Sequence, residues 1–240
     1  MRKVLVLAVT MIATAATAAT TAPAAQTGRS GRADRPFTDS FDVSASDFVS
    51  SGGNRFFILE PGYVLEFAGT EDGKPSKLVI TVLDEVKTVD GVSTRVVEER
   101  ESVSGSLTEV SRNYFAFDRR TASVWYFGED VDNYKDGKVS SHEGSWLSGA
   151  NGAKYGLFMP GLVLLGSRFY QEVAPGVAMD RARITSLSET LTTPAGKFTG
   201  CLRVEESSPL EPGSKAKKLY APGVGLIKDG DFVLVKSAKR

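Results

Sequence analysis

One cysteine and one histidine are all that this chain offers of thiol and imidazole side chains. With Cys201 alone, no intramolecular disulfide can form, so stability has to come from burial. Flanked by Gly200 and Leu202, the thiol reads as a small buried side chain. Zinc favours several Cys and His ligands, and one of each is too few. A hydrolytic triad would have to use His142, whose neighbours Ser140, Ser141 and Glu143 point to alternate faces of a strand and cannot converge locally. No G-x-S-x-G elbow is present, since "EGSW" at 143–146 lacks the closing glycine. Phosphate cradles and dinucleotide fingerprints are missing too: "PGVGLI" at 222–227 precedes a strand, not a helix. No cofactor is expected.

Charge of one sign is also missing. The chain carries 29 basic and 29 acidic residues, a balance with no basic excess to attract nucleic acid. Long apolar runs are confined to the start, where Arg2 and Lys3 precede Val4 to Ile12 and then the small residues of "ATAATAATTAPAAQ". That pattern reads as an export signal over residues 1–25. Its apolar core is shorter than the roughly 20 residues that cross a bilayer, and no cysteine stands near it to carry a lipid. The expectation is an exported or secreted chain, not lipid-anchored, with no stable membrane insertion of the mature part. Residues 26–53 read as a linker or edge segment, and 54–240 as one domain.

Within that domain, period-two alternation dominates. Leu78, Ile80 and Val82 alternate with Val79, Thr81 and Leu83; Leu202 and Val204 alternate with Arg203; Val233 and Val235 alternate with Phe232 and Leu234. These are strands. Helical spacing is limited to a possible short turn near Ser44 to Val49. Asp-Gly recurs at 72–73, 90–91, 136–137 and 229–230, a pair suited to tight hairpins because both positions need positive φ. The expected fold is all-β, a single antiparallel meander closing into a barrel or half-barrel.

The stretch "WYFGEDVDNYKDGKVSSHEGSW" at 125–146 crowds three aspartates, two glutamates, both tryptophans and the histidine together. From Asp132, its spacing matches a twelve-residue calcium loop at the first, fifth, sixth and last positions. It departs at Tyr134, where an oxygen ligand is needed, and lacks the flanking helices. A hairpin turned by Asp136-Gly137 explains the stretch without a metal, with its aromatics inward and its acids toward water.

Several blocks carry a resemblance: "NRFFILEPGYVLEF" (54–67), "VWYFGEDVDNYKDGKV" (124–139), "EGSWLSGANGAKYGLFMP" (143–160), "YQEV" (170–173), "TPAGKF" (193–198) and "LYAPGVGLI" (219–227). Together they resemble a family of exported bacterial β-proteins with no general function assigned. Against that family's approximate "MPANPKVGDSYRQE", this chain reads "MPGLVLLGSRFYQE", with Leu162, Val163, Leu164 and Leu165 in place of polar or turn-forming residues. Its "AMDRARI" places Met179 and Arg183 where the resemblance implies glutamates.

A barrel with an apolar loop suggests a cavity for a small apolar molecule. Trp125, Trp146, Phe158, Met159, Leu164 and Phe169 are the candidates to line it; Tyr126, Tyr170, Glu172 and Arg183 are the candidate donors or acid/base groups. The leading expectation is a cofactor-free cyclase or isomerase of the antibiotic-biosynthesis kind. It would fold a polyketide-like substrate, since such chemistry needs mainly shape and a hydrogen-bond donor or two. The alternative is a non-catalytic exported carrier of a lipid or other apolar molecule, or an envelope interaction module.

Overall fold

The hairpins set the register of the molecule. Asp72-Gly73, Asp90-Gly91 and Asp136-Gly137 hold φ of 49° and 75°, 51° and 76°, and 53° and 73°, the left-handed pairs of tight type I′ turns. Ser104-Gly105 turns the same way at 49° and 83°. The fourth Asp-Gly pair differs: only Gly230 is left-handed, while Asp229 ends a strand and is buried.

A computed structural model describes residues 35–239; the leader expected over 1–25 lies outside the described residues. Three short strands, β1 (Phe48–Val49), β2 (Gly52–Asn54) and β3 (Phe57–Leu59), precede the long meander β4 (Tyr63–Glu71), β5 (Lys74–Val89), β6 (Val92–Val103), β7 (Ser106–Asp118) and β8 (Ser123–Lys135). Five short strands follow: β9 (Lys138–Ser141), β10 (Trp146–Leu147), β11 (Lys154–Met159), β12 (Arg168–Tyr170) and β13 (Glu172–Val173). The chain then returns to long hairpins through β14 (Arg181–Thr193), β15 (Gly196–Ser207), β16 (Ala216–Ala221), β17 (Gly225–Asp229) and β18 (Phe232–Lys239). A 3-10 turn at Ala45–Asp47 occupies the position expected for a short turn.

The sheet runs β12-β14-β15-β16-β17-β18-β4-β5-β6-β7-β8-β11-β13. Its two ends are consecutive in the chain, because β12 and β13 are separated only by Gln171. One six-residue segment, 168–173, therefore pairs with β14 through its first half and with β11 through its second. This segment closes the antiparallel meander into a barrel and leaves it no long free edge. Gln171 donates its backbone N–H to Asp180 O at 2.8 Å and its side-chain amide to Glu206 Oε1 at 3.1 Å.

The closure needs Gly156 on β11. A Cβ added there would fall against the Gln171 carbonyl and 2.6 Å from Tyr170 O. Gly156→Ala is expected to lower stability by about 1–3 kcal/mol, as other forced overpacking does. A urea titration that left the midpoint unchanged would show that the closing segment yields freely.

The main core fills the barrel with residues such as Leu65, Phe67, Leu78, Phe115, Tyr126, Leu202 and Leu234. A second core lies on the outer face of β7 and β8, where Trp125, Phe127, Tyr114 and Val96 are covered by Phe41, Val43, Phe48 and Tyr155. The described part of the 26–53 segment thus packs against the barrel wall, and β1 pairs with β7. Both faces of β8 are buried along 123–129, so its alternation is hidden in the sequence much as in a strand covered on both sides.

Candidate functional site

Inward-facing positions change character along the barrel. On β6 they pass from Val97 to Glu99 and Glu101; on β7 from Phe115 to Asn113, Ser111 and Glu109; on β16 from Tyr220 to Lys218. One half of the interior is apolar and the other is acidic.

The apolar half holds a partly enclosed cavity of about 40 Å³, walled by Leu65, Ile80, Val82, Val97, Phe115 and Leu226, with Glu99 as its one carboxyl group. The β2–β3 hairpin closes the mouth through Phe57 and Ile58. That hairpin is a two-stranded sheet of its own. Asn54 anchors it by donating to Ala122 O at 3.1 Å and Met159 O at 3.3 Å, while its Oδ1 accepts from the backbone N–H groups of Phe56 and Phe57. Phe57 packs on Phe115 and Phe158, with centroids 5.2 and 5.4 Å away.

Below Glu99 lies the acidic half. Glu129 is fully buried and neither carboxylate oxygen has a hydrogen-bond partner; one oxygen each of Glu99 and Glu172 is in the same position. Burial pushes the Glu99 carboxyl up to about 8 against the pull of Lys218, and burial with Glu101 and Glu99 nearby pushes Glu109 to about 8. Glu129 is raised well above the usual range by burial and by Glu109, Glu172 and Glu99. Among these acids stands one buried cation. Lys218 Nζ lies 2.8 Å from Glu206 Oε2 and 3.4 Å from Asp229 Oδ2; burial opposes its charge, but Asp229 and Glu206 prevail and raise its pKa. Among the described residues no group of three or more His, Cys, Asp or Glu is arranged to hold a metal ion.

No family model matches the chain, and no curated protein matches it. A crystal structure of a protein assigned as a lipoprotein, from Parabacteroides distasonis ATCC 8503, is 16% identical with a TM-score of 0.38, over 78% of this chain and 100% of that one.

The sequence-derived candidates separate into five places. Tyr126, Trp146, Phe158, Met159 and Phe169 meet in the main core, where Tyr126 stacks on Phe115 and donates its hydroxyl to Asn113 Oδ1 at 2.7 Å. Trp125 lies in the second core, on the opposite face of β8. Glu172 is buried at the closing segment, its Oε1 accepting the Asp180 N–H at 2.7 Å. Tyr170 and Arg183 stand on the outer wall, because their neighbours Phe169 and Ala182 take the inward positions.

Leu164 is 57% exposed, as are Leu162 and Leu165 at 76% and 66%. Of the four aliphatics in that loop only Val163 packs against the core, so the run does not plug the barrel. None of these candidates lines the cavity. Glu129 corrects one further expectation: it points into the barrel, whereas Asp130 and Asp132 of the same strand are part-exposed and paired with Lys87 and with Arg112 and His142. The signal that could have revealed the interior acids is "VEERE" at 97–101, where Glu99 and Glu101 share the parity of Val97.

Proposed function

We propose that the protein is an exported, non-catalytic barrel that binds an apolar group at its mouth, beneath the β2–β3 hairpin. The cavity lining carries this reading: aliphatic and aromatic walls around a single carboxyl, Glu99, which holds its proton at neutral pH. A protonated carboxyl in such a wall is one hydrogen-bond donor, enough to orient a polar end of an otherwise apolar molecule.

In the closed form the cavity is small. Its 40 Å³ compares with roughly 300–1,000 Å³ for sites that enclose a drug-sized ligand, so a larger guest enters as the hairpin lifts. No continuous ladder joins the hairpin to the barrel; the Asn54 contacts, a backbone bond from Gly223 N–H to Arg55 O at 2.8 Å and the packing of Phe56, Phe57 and Leu59 hold it, and these are what the motion has to release. Residence outside the bilayer is supported by the barrel wall, which carries ion pairs such as Lys77–Glu66, Arg112–Asp132 and Arg203–Glu189. A lipid-facing wall would present an apolar band there. No helix among the described residues is long and apolar enough to cross a membrane.

The test is titration with N-phenyl-1-naphthylamine, a neutral apolar fluorophore. The wild-type protein is expected to enhance its emission saturably, and Ile58→Trp, which fills the mouth, to remove the enhancement while the protein still melts cooperatively. A flat wild-type titration, or an undiminished signal in the folded variant, would refute binding at this cavity.

Glu99 also favours a second reading, the cofactor-free cyclisation or rearrangement of a polyketide-like substrate. A neutral carboxylic acid in an apolar wall can donate a hydrogen bond to developing negative charge. On that reading Glu99→Gln abolishes turnover and retains binding.

A further inference from the structure

Three arginines converge on the outer wall of the barrel, remote in kind from the apolar cavity. Arg168 on β12 stands opposite Arg183 on β14, and Tyr170 stands opposite Arg181. Strand alternation turns these side chains outward together. On the next strand, β15, Ser207 and Glu205 face Arg181 and Arg183 in register. The loop after β15 then passes over them with Pro209, Pro212, Ser214 and Lys215, forming a groove of about 440 Å³.

The charges in the groove do not balance. Glu205 is its carboxylate, and Lys215 Nζ lies 3.2 Å from that group. Arg168 donates to Arg35 O at 2.9 Å, and the guanidinium groups of Arg181 and Arg183 remain without an ion pair among the described residues. Phe37 packs against two arginines of the groove, with Arg181 4.6 Å and Arg168 5.4 Å from its ring centroid, a geometry that orients a cation without neutralising it. Arg181 reaches Ser207 Oγ at 3.4 Å, and among the described residues the Arg183 side chain has neither an ion pair nor a hydrogen bond. The Nε atoms of Arg181 and Arg183 are buried without a partner. Clustered like charges with unfilled donors are unfavourable in isolation, so the arrangement is completed by an anion.

We propose that this groove binds a phosphate group carried on a small molecule or on a lipid headgroup. A carboxylate offers two oxygens and is matched by one guanidinium fork. A phosphate presents oxygens in several directions and accepts forks from more than one arginine, with the Ser207 and Ser214 hydroxyls within the same groove. The volume exceeds that of phosphate alone and falls in the range of small-molecule sites, leaving Phe37, Pro209 and Pro212 to contact the rest of an ester. This site does not depend on binding at the interior cavity.

Calorimetric titration of the purified protein with inorganic phosphate and with glycerol 3-phosphate tests the assignment in solution. Sedimentation with phosphatidylglycerol–phosphatidylcholine vesicles, against phosphatidylcholine alone, tests the lipid source. The single variants Arg181→Gln and Arg183→Gln are each expected to weaken binding by about tenfold or more, the scale of a lost charge-assisted hydrogen bond, with thermal unfolding confirming that each variant is folded. Binding of the soluble phosphates that is lost in the variants supports a free phosphate ester; vesicle binding alone, lost in the same variants, supports a headgroup. If neither probe binds, or if the Arg181→Gln/Arg183→Gln double variant binds as wild type does, the groove is not a phosphate site.

Discussion

Raising the pH from 5.5 to 8.5 is expected to destabilise the protein on the order of 5 kcal/mol, lowering its thermal midpoint by roughly 10 °C or more. Glu99 and Glu109 ionise near 4.5 in an unfolded chain and near 8 in the barrel. Between those values the folded state retains protons that the unfolded state has released. Stability therefore falls with rising pH across the window, by about 1.4 kcal/mol per unit for each fully shifted group. Asp180 and Asp229, raised to about 6 chiefly by burial, add the same sign between 3.8 and 6. Asp130 acts oppositely: burial raises it, but hydrogen bonds from Lys87 and Tyr114 bring it below its ordinary value, so its contribution is lost only in stronger acid. Differential scanning calorimetry at pH 5.5, 7.0 and 8.5 measures the slope, and a midpoint that rises with pH would show that the interior acids are ionised and stabilised in the fold. Glu129→Gln keeps the shape of a protonated carboxyl and cannot ionise; it is expected to raise the midpoint at pH 8.5 and flatten the slope.

The interior that produces this behaviour was only partly legible in the sequence. Turns declare themselves locally, and Asp72-Gly73, Asp90-Gly91 and Asp136-Gly137 have the geometry that their chemistry predicts. Asp229-Gly230 carries the same letters, yet Asp229 belongs to a strand and faces Lys218. Which way this strand-end acid turns depends on its cross-strand partner, Lys218, on the adjacent arm β16. Closure was harder to foresee, because "RFYQEV" at 168–173 is unremarkable until β11 and β14 stand on either side of it. The acids of β6, β7 and β8 were hidden for an energetic reason. Placing a charge in a core is so unfavourable that a sequence reading assigns it to solvent, and Glu129 was assigned in that way. The structure keeps such groups inside by leaving them protonated or by setting them near Lys218.

Lys218 is the position where a single change has the largest expected consequence. Replacing it by methionine preserves length and much of the volume but removes the cation beside Glu206 and Asp229. Removing one partner of a buried ion pair typically costs about 3–5 kcal/mol, a large share of the ~5–15 kcal/mol that holds a domain folded. At pH 7.5, Lys218→Met is expected to lose that amount in urea unfolding, or to fail to fold. Acid should relieve the defect in part, because protonating Asp229, which burial raises to about 6, removes uncompensated charge; the variant is expected to regain stability as the pH falls from 7.5 to 5. Neutralising the partners should do the same at constant pH, so Lys218→Met/Glu206→Gln/Asp229→Asn is expected to unfold at a higher urea concentration than Lys218→Met alone. Equal midpoints for the single and triple variants at pH 7.5 would show that Lys218 contributes through packing rather than charge. The physical basis of the test is that an ammonium with two carboxylates is tolerated as a set, whereas two carboxylates left in the same space cannot both remain ionised.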